Sequence, residues 1–406
     1  MMDPDQILRI SKSLRSTTFL VGLFLAVLIT GLILSISTRT DPPMIPQVKS
    51  VTTRSNRPHN TFPPLKAERD MISDQLSNLS LEEKIGQMFM GGSYKSDSLA
   101  QQVELISTYH FGGIILMGIN VTDTLKTKES IDKINKAQDS DLPPILIAID
   151  EEGGSVSRLW GQLTDQSAQP DLKTEKLAND TAYRRGTELH DMGINANFAP
   201  VVDYIPDQGS FLYDRVFRGD RDQIAKLGSA MVRGYRDAGI IAVPKHFPGH
   251  PSTPIDSHNA LPTSDISTSQ MDEYTSQFRY IIDTSAPVMI MTGHVLFPNI
   301  DDQNLSTLSP IWIDEYLRGD LGYQGVVITD GMMMGAITDG HTFEGNIINA
   351  VKAGNDILLY VTEPRYQADA YKILLNSVRN GTISEDRIDE SVYRILQMKK
   401  VLEETH

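Results

Sequence analysis

Eight apolar runs of strand length, separated by stretches of helical periodicity, limit what this chain can fold into more than any other feature. They occupy residues 87–90, 113–117, 145–149, 194–202, 240–246, 287–292, 325–330 and 356–360. Uninterrupted apolar runs suit parallel strands that are covered on both faces, where alternation has no reason to appear. Eight of them alternating with helices predict an α/β fold, a (β/α)₈ TIM-type barrel, with a doubly wound open sheet as the alternative. The polar residues favour the barrel. Asp150, Asp203, Lys245, His246, His294 and Asp330 all stand at or just beyond the carboxyl ends of these runs, and in a barrel those ends converge on one mouth.

The folded part is bounded by two helix signals. Ser80 followed by Glu83 is a capping-box start, continued by the apolar face Leu81, Ile85 and Met88. At the other end, residues 384–401 form an amphipathic helix, with Ser384 as N-cap, Glu385 and Asp386 in the first turn and Lys399 and Lys400 in the last. Ahead of the barrel domain, placed at 67–406, lies a different kind of sequence. Residues 16–38 carry no charge and are long enough to cross a bilayer as a helix, so they are expected to be a transmembrane signal-anchor. Residues 1–15, with Arg9, Lys12 and Arg15, would form a short cytoplasmic segment. Residues 39–66 hold Pro42, Pro43, Pro46, Pro58, Pro63 and Pro64 and few apolar residues, which reads as a linker. The expected result is a membrane-anchored protein with its catalytic domain outside the cytoplasm.

Composition excludes several functions. The net charge of −15 argues against sequence-independent binding of nucleic acid, which needs Lys and Arg along the phosphates. The absence of cysteine removes disulfides, thiolate catalysis and thiolate-bound zinc. No histidine spacing suits a metal, and neither a GxGxxG nor a Walker motif is present, so no cofactor is expected.

The richest stretch is IIAVPKHFPGHPSTPIDSH, residues 240–258. Its apolar half reads as a buried strand, and its second half brings Lys245, His246, Asp256 and His258 into one loop stiffened by prolines. An Asp two residues from a His can orient the ring and raise its basicity. KHFPGH followed by DSH resembles the signature of the family 3 glycoside hydrolases, in their β-N-acetylhexosaminidase branch. Pro251, Ser252 and Pro254 stand where that branch more often has a Gly and acidic residues. The resemblance implies that His258 is the general acid/base and Asp256 its partner. An imidazole suits that task because it donates and recovers a proton close to neutrality.

The segment GVVITDGMMMGAI sets Asp330 just after a strand, as the analogous segment of that branch sets its nucleophile. Alone, such an Asp caps the next helix as readily as it reacts. Beside the KHFPGH and DSH segments, the resemblance implies a retaining nucleophile, which works about 5 Å from its acid/base and forms a covalent glycosyl-enzyme. Gly331 leaves room beside it. ILIAIDEEGGSVSRL and YDRVFRGD resemble the segments that bind the hydroxyls of the terminal sugar, which maps that role onto Asp150, Arg158 and Arg215, completed by Lys245 and His246. A carboxylate accepts from two vicinal hydroxyls, and an Arg can share them. Glu151 and Glu152 read as solvated or capping residues, and Arg218 and Arg221 as surface ion pairs. His294, at a strand end, is expected to line the mouth rather than fill the core.

The function implied is a retaining exo-β-N-acetylglucosaminidase, taking terminal GlcNAc from cell-wall or other glycans. Alternatives are a β-glucosidase or a glycosyl phosphorylase of the same family, or an anchored wall-binding protein without activity.

Overall fold

The computed structural model describes residues 66–95, 99–121, 123–338 and 340–403. The expected anchor at 16–38, the segment before it and the linker up to residue 65 lie outside the described residues. Among the described residues, no helix is long and apolar enough to cross a membrane.

Eight parallel strands form the core: β1 (Phe89–Gly92), β2 (Gly113–Leu116), β3 (Leu146–Ile149), β4 (Ala196–Asn197), β5 (Ile241–Ala242), β6 (Met289–Thr292), β7 (Val326–Thr329) and β8 (Leu358–Val361). Pairing runs in chain order, with Met90 opposite Gly113, Gly113 opposite Leu146, Ala148 opposite Ala196 and Ala196 opposite Ile241. Phe247 bridges to Thr292, β6 pairs with β7, and Ile328 bridges to Ile357. Phe89 opposite Leu358 then returns the ladder to β1, so the sheet closes into a barrel with no free edge. Each of the eight apolar runs supplies one strand, and the open sheet is excluded by that last pairing.

Three strands differ most from the sequence reading. β4 and β5 make short ladders because Pro200 and Pro244 have no N–H to donate, yet pairing resumes beyond them, where Val202 N–H donates to the Lys245 carbonyl at 2.8 Å. β1 lies two residues later than expected. The capped helix holds the chain as far as Gln87, and Gly91 and Gly92, which lie outside the expected run, continue the strand. A Cβ on Gly91 would meet the amide ends of Gln367 and Gln102, so glycine there lets both buried side chains pack against β1 without shifting.

The longer helices are α1 (Lys66–Asn78), α2 (Leu81–Gln87), α3 (Leu99–Tyr109), α4 (Thr124–Ala137), α5 (Glu175–Asp191), α6 (Arg221–Asp237), α7 (Ser276–Ser285), the π-helical α8 (Ile311–Asp320), α9 (Phe343–Ala353), α10 (Pro364–Arg379) and α11 (Glu385–Glu403), with single helical turns at Met271–Tyr274 and Gly335–Thr338. Helices α3 to α9 each connect one strand to the next on the outside of the barrel. The capping box at α2 forms as read, with Ser80 N–H on Glu83 Oε2 at 2.7 Å and Glu83 N–H on Ser80 Oγ at 3.3 Å. Ser384 Oγ accepts from Arg387 N–H at the start of α11. One helix precedes the capping box, since α1 buries Ile72 and packs Leu76 on the core.

Candidate active site

Because all eight strands run the same way, the residues that follow them meet at one end. A single cavity there is lined by Asp150, Glu152, Arg158, Arg215, Lys245, His246, His258 and Asp330. Of the nine residues expected at a site, Asp256 lies at its edge through His258, and His294 alone lies beneath its surface.

One wall is a chain of alternating charges. Asp150 leaves β3, and a short hairpin of Glu151–Gly153 and Val156–Ser157 carries Glu152 and leads to Arg158. Lys245, just past β5, places Nζ 2.7 Å from Asp150 Oδ1 and 2.8 Å from Glu152 Oε1. Arg158 reaches Asp150 Oδ2 at 3.4 Å. Arg215 grips Glu152 with two parallel bonds, Nε at 2.9 Å and Nη2 at 2.8 Å, the fork geometry that guanidinium and carboxylate share. Burial pushes the Glu152 carboxyl up, but Arg215 and Lys245 outweigh it and hold it at about 2. Burial likewise opposes ionisation of Asp150, and Lys245 with Arg158 brings it below the usual carboxylate value. For Lys245 burial favours the neutral amine, and the two carboxylates override it. Beneath the hairpin, the buried Arg185 of α5 donates to the Glu152 and Ser167 carbonyls at 2.9 Å each, fixing the backbone on which this wall stands.

Glu152 therefore has a place that the sequence reading denied it. It was read as solvated or capping, whereas it is buried and joins two cations. The missed signal was alternation: Asp150 and Glu152, two apart in extended chain, share a face, while Glu151 points the other way and accepts Leu159 N–H at 3.0 Å. Arg221 is also displaced from its expected surface ion pair. Its guanidinium lies 4.4 Å from the Tyr204 ring centre and 5.0 Å from that of Tyr274. Arg218 does pair with Asp214 and covers the Tyr213 ring.

Asp330 follows β7, with its N–H on the Thr292 carbonyl and its Oδ1 accepting Gly331 N–H at 2.7 Å. Burial raises its pKa, but His246, His294 and the Gly331 N–H together hold it below the usual value, so the carboxylate is ionised. The space beside Gly331 is taken by Met334, whose Cγ would stand 3.3 Å from an added Cβ.

His246 Nε2 faces Asp330 Oδ2 at 4.0 Å, too far for a hydrogen bond and open to a ligand hydroxyl between them. Its Nδ1 donates to Asp203 Oδ2 at 2.8 Å. Asp203, fully buried after β4, also accepts His250 N–H at 2.6 Å. It sits at a strand end like the others, but its role as the orienter of His246 was not legible without the fold. His250 went unread too; its Nδ1 donates to the Pro251 carbonyl at 3.0 Å, leaving a buried, unbonded Nε2 at the cavity wall. Tyr94, 61% exposed, completes the rim.

His258 and Asp256 form a tight pair. Asp256 Oδ1 accepts both the ring Nδ1–H at 2.7 Å and the His258 backbone N–H at 2.9 Å. Slight burial raises the Asp256 pKa, and the bonds from His258 more than reverse it. The Nδ1–H is thereby fixed, and Nε2 is left to exchange a proton.

His294 does not line the mouth. It is 1% exposed, with Nδ1 on Thr307 Oγ1 at 2.8 Å and Nε2 donating to the Gly331 carbonyl at 3.0 Å. Both nitrogens are bonded inside the protein, so none is left for a ligand. It supports the loop that follows Asp330, and burial lowers its pKa.

Residues 80–398 match the family model of the glycosyl hydrolase family 3 N terminal domain. The beta-hexosaminidase A of Pseudoalteromonas piscicida is 32% identical over 328 residues, covering 74% of this chain and 55% of that protein. This chain thus spans little more than half the length of that relative. The beta-hexosaminidase LpqI of Mycobacterium tuberculosis is 32% identical over 333 residues, covering 79% and 83%. A solved family 3 beta-N-acetylglucosaminidase from Paenibacillus superposes with a TM-score of 0.76 at 36% identity, covering 81% of this chain and 64% of that one.

Proposed function

The chain belongs to glycoside hydrolase family 3, and from that membership and the residues of its cavity we infer that it is a retaining exo-β-N-acetylglucosaminidase. The observation that carries the reading is the presence in one cavity of an ionised Asp330 and an imidazole, His258, whose Nδ1–H is fixed by Asp256. Asp330 attacks the anomeric carbon as His258 Nε2 protonates the departing oxygen, giving a glycosyl-enzyme. His258 then takes a proton from water, which releases the sugar with its configuration retained. The Arg158–Asp150–Lys245–Glu152–Arg215 chain meets the sugar hydroxyls with donors and acceptors already in place, so little is lost in ordering them. His246 completes that site.

The uncharged segment at 16–38 supports a membrane anchor, with the barrel outside the cytoplasm and cell-wall fragments as its glycans. The similar Paenibacillus structure, a beta-N-acetylglucosaminidase, supports GlcNAc as the sugar removed, and the hexosaminidase names of the relatives support a hexosamine more broadly.

The test is release of aryl alcohol from β-GlcNAc and β-glucosyl chromogens, with and without phosphate. GlcNAc release independent of phosphate is expected, and Asp330→Ala should abolish it. Preference for the glucoside, or a requirement for phosphate with formation of a sugar phosphate, would overturn the reading. His258→Ala should slow alkyl glycosides by about 10²-fold or more while sparing the first step on activated aryl glycosides, which leave without a proton.

A further inference from the structure

The loop carrying Asp256 and His258 is tied by its backbone to the loop that follows Asp330. Gly335 N–H donates to the His258 carbonyl at 2.9 Å, and Ala336 N–H donates to the Ser257 carbonyl at 3.1 Å. Some residues earlier, Ser252 Oγ accepts Asp207 N–H at 3.1 Å. Between these points the side chains of Asp256 and His258 are 38% and 57% exposed; they bond to each other, and Asp256 also accepts from Asn259 and from the His258 backbone N–H. Main-chain contacts thus hold this segment in place, and the Asp256–His258 bond aims the ring from it.

Gly335 is where that contact is closest. A Cβ there would lie 2.7 Å from the Asn259 carbonyl carbon and oxygen and 2.9 Å from the His258 oxygen. All three are backbone atoms, which cannot swing aside as a side chain can. Gly335 does not have a left-handed φ, so its need for glycine is one of space and not of conformation.

We propose that Gly335 is a positioning residue for proton transfer: its missing side chain seats the Ser257–His258 backbone against the nucleophile's loop and so fixes the acid/base relative to Asp330. This rests on His258 being the acid/base. The sugar-binding chain stands on β3, β5 and the loop after β4 and lines the cavity, whereas Gly335 is not in that lining and its nearest neighbours are backbone atoms of His258 and Asn259. A methyl group at 335 then displaces the imidazole and leaves the sugar site intact. Displacements of about 1 Å suffice for losses on the order of 10²-fold when a catalytic group must meet a reacting atom.

The test compares wild type, Gly335→Ala and His258→Ala, in the full chain, across β-GlcNAc glycosides from 2,4-dinitrophenyl to methyl. For Gly335→Ala, kcat/KM should fall about tenfold or more for methyl and within about threefold for dinitrophenyl, with azide raising turnover of the latter. Inhibition by free GlcNAc should be unchanged. Equal loss across the series, no loss, or weakened GlcNAc inhibition would overturn the proposal. If His258→Ala itself shows no dependence on the leaving group, the assignment of the acid/base fails instead. Should Gly335→Ala not fold, amide exchange in wild type decides: the Gly335 and Ala336 amides are expected to be protected, and exchange at the rate of free loop amides would overturn the proposal.

Discussion

Lys245 and Arg215 approach the same carboxylate, Glu152, at 2.8 Å, and each is almost entirely buried in side chain or nearly so. Removing that charge leaves two cations with Asp150 as the nearest remaining anion. Glu152→Gln should destabilise the protein by about 3 kcal/mol at pH 7, as breaking buried pairs does, and should raise KM. The pH dependence has a definite sign. With a folded pKa of about 2 against an ordinary 4.5, Glu152 contributes its full stability above about 4.5 and loses it as pH falls toward 2. The difference between wild type and Glu152→Gln in denaturant unfolding should therefore shrink from pH 7 to about 3.5; a constant gap would remove Glu152 from this role. His294 gives the opposite lesson. It follows a strand as His246 does, yet Thr307 and the Gly331 carbonyl occupy both of its nitrogens.

At the scale of elements, Asp356 ties the closing strands to the outer helices, at the end of the barrel away from the cavity. Standing just before β8, it accepts Val327 N–H of β7 at 2.9 Å, Arg318 of α8 at 2.7 Å, and Ser391 and Arg394 of α11 at 2.7 and 3.1 Å. Burial opposes its ionisation, and Arg318, Arg394 and Arg387 override it. Asp356→Ala leaves these guanidiniums without their carboxylate and should cost about 3–5 kcal/mol in thermal or denaturant unfolding. The kcat/KM of the folded fraction should remain that of wild type, since no group of the cavity touches Asp356; a loss of turnover without a loss of stability would contradict this. The elements themselves were legible wherever burial was continuous. β2, β3, β6 and β7 fall inside their apolar runs, and helices α2 and α11 start at the Ser caps read for them. β1 was shifted because Gly91 and Gly92 carry no apolar side chain for a local pattern to register, whereas the packing of Gln367 against Gly91 and of Ile115 and Val361 against Gly92 is contact over longer sequence separation.

For the whole molecule, the folded unit starts at α1 and not at the capping box of α2. A fragment beginning at Lys66 should be soluble, folded and as active as the full chain in detergent. One beginning at Ser80 loses the burial of Ile72 and the packing of Leu76, and its melting temperature should drop by an amount equivalent to at least about 2 kcal/mol. Equal stability of the two fragments would make α1 dispensable. The sequence by itself determined the eight strands and the polar character of their ends, because a strand buried on both faces is apolar along its length and its polar groups gather where the strand stops. The motif residues Asp330, His258 and Asp256 were singled out by the resemblance of their segments to those of a family, since by position alone an Asp after a strand caps a helix as readily as it reacts. The tertiary structure alone decided which strand-end groups open to the cavity and which are consumed by partners. It closed β8 onto β1, set Asp203 behind His246, drew Glu152 between Lys245 and Arg215, and turned His294 inward. Each of those choices depends on a partner tens of residues away, whose distance no local pattern records.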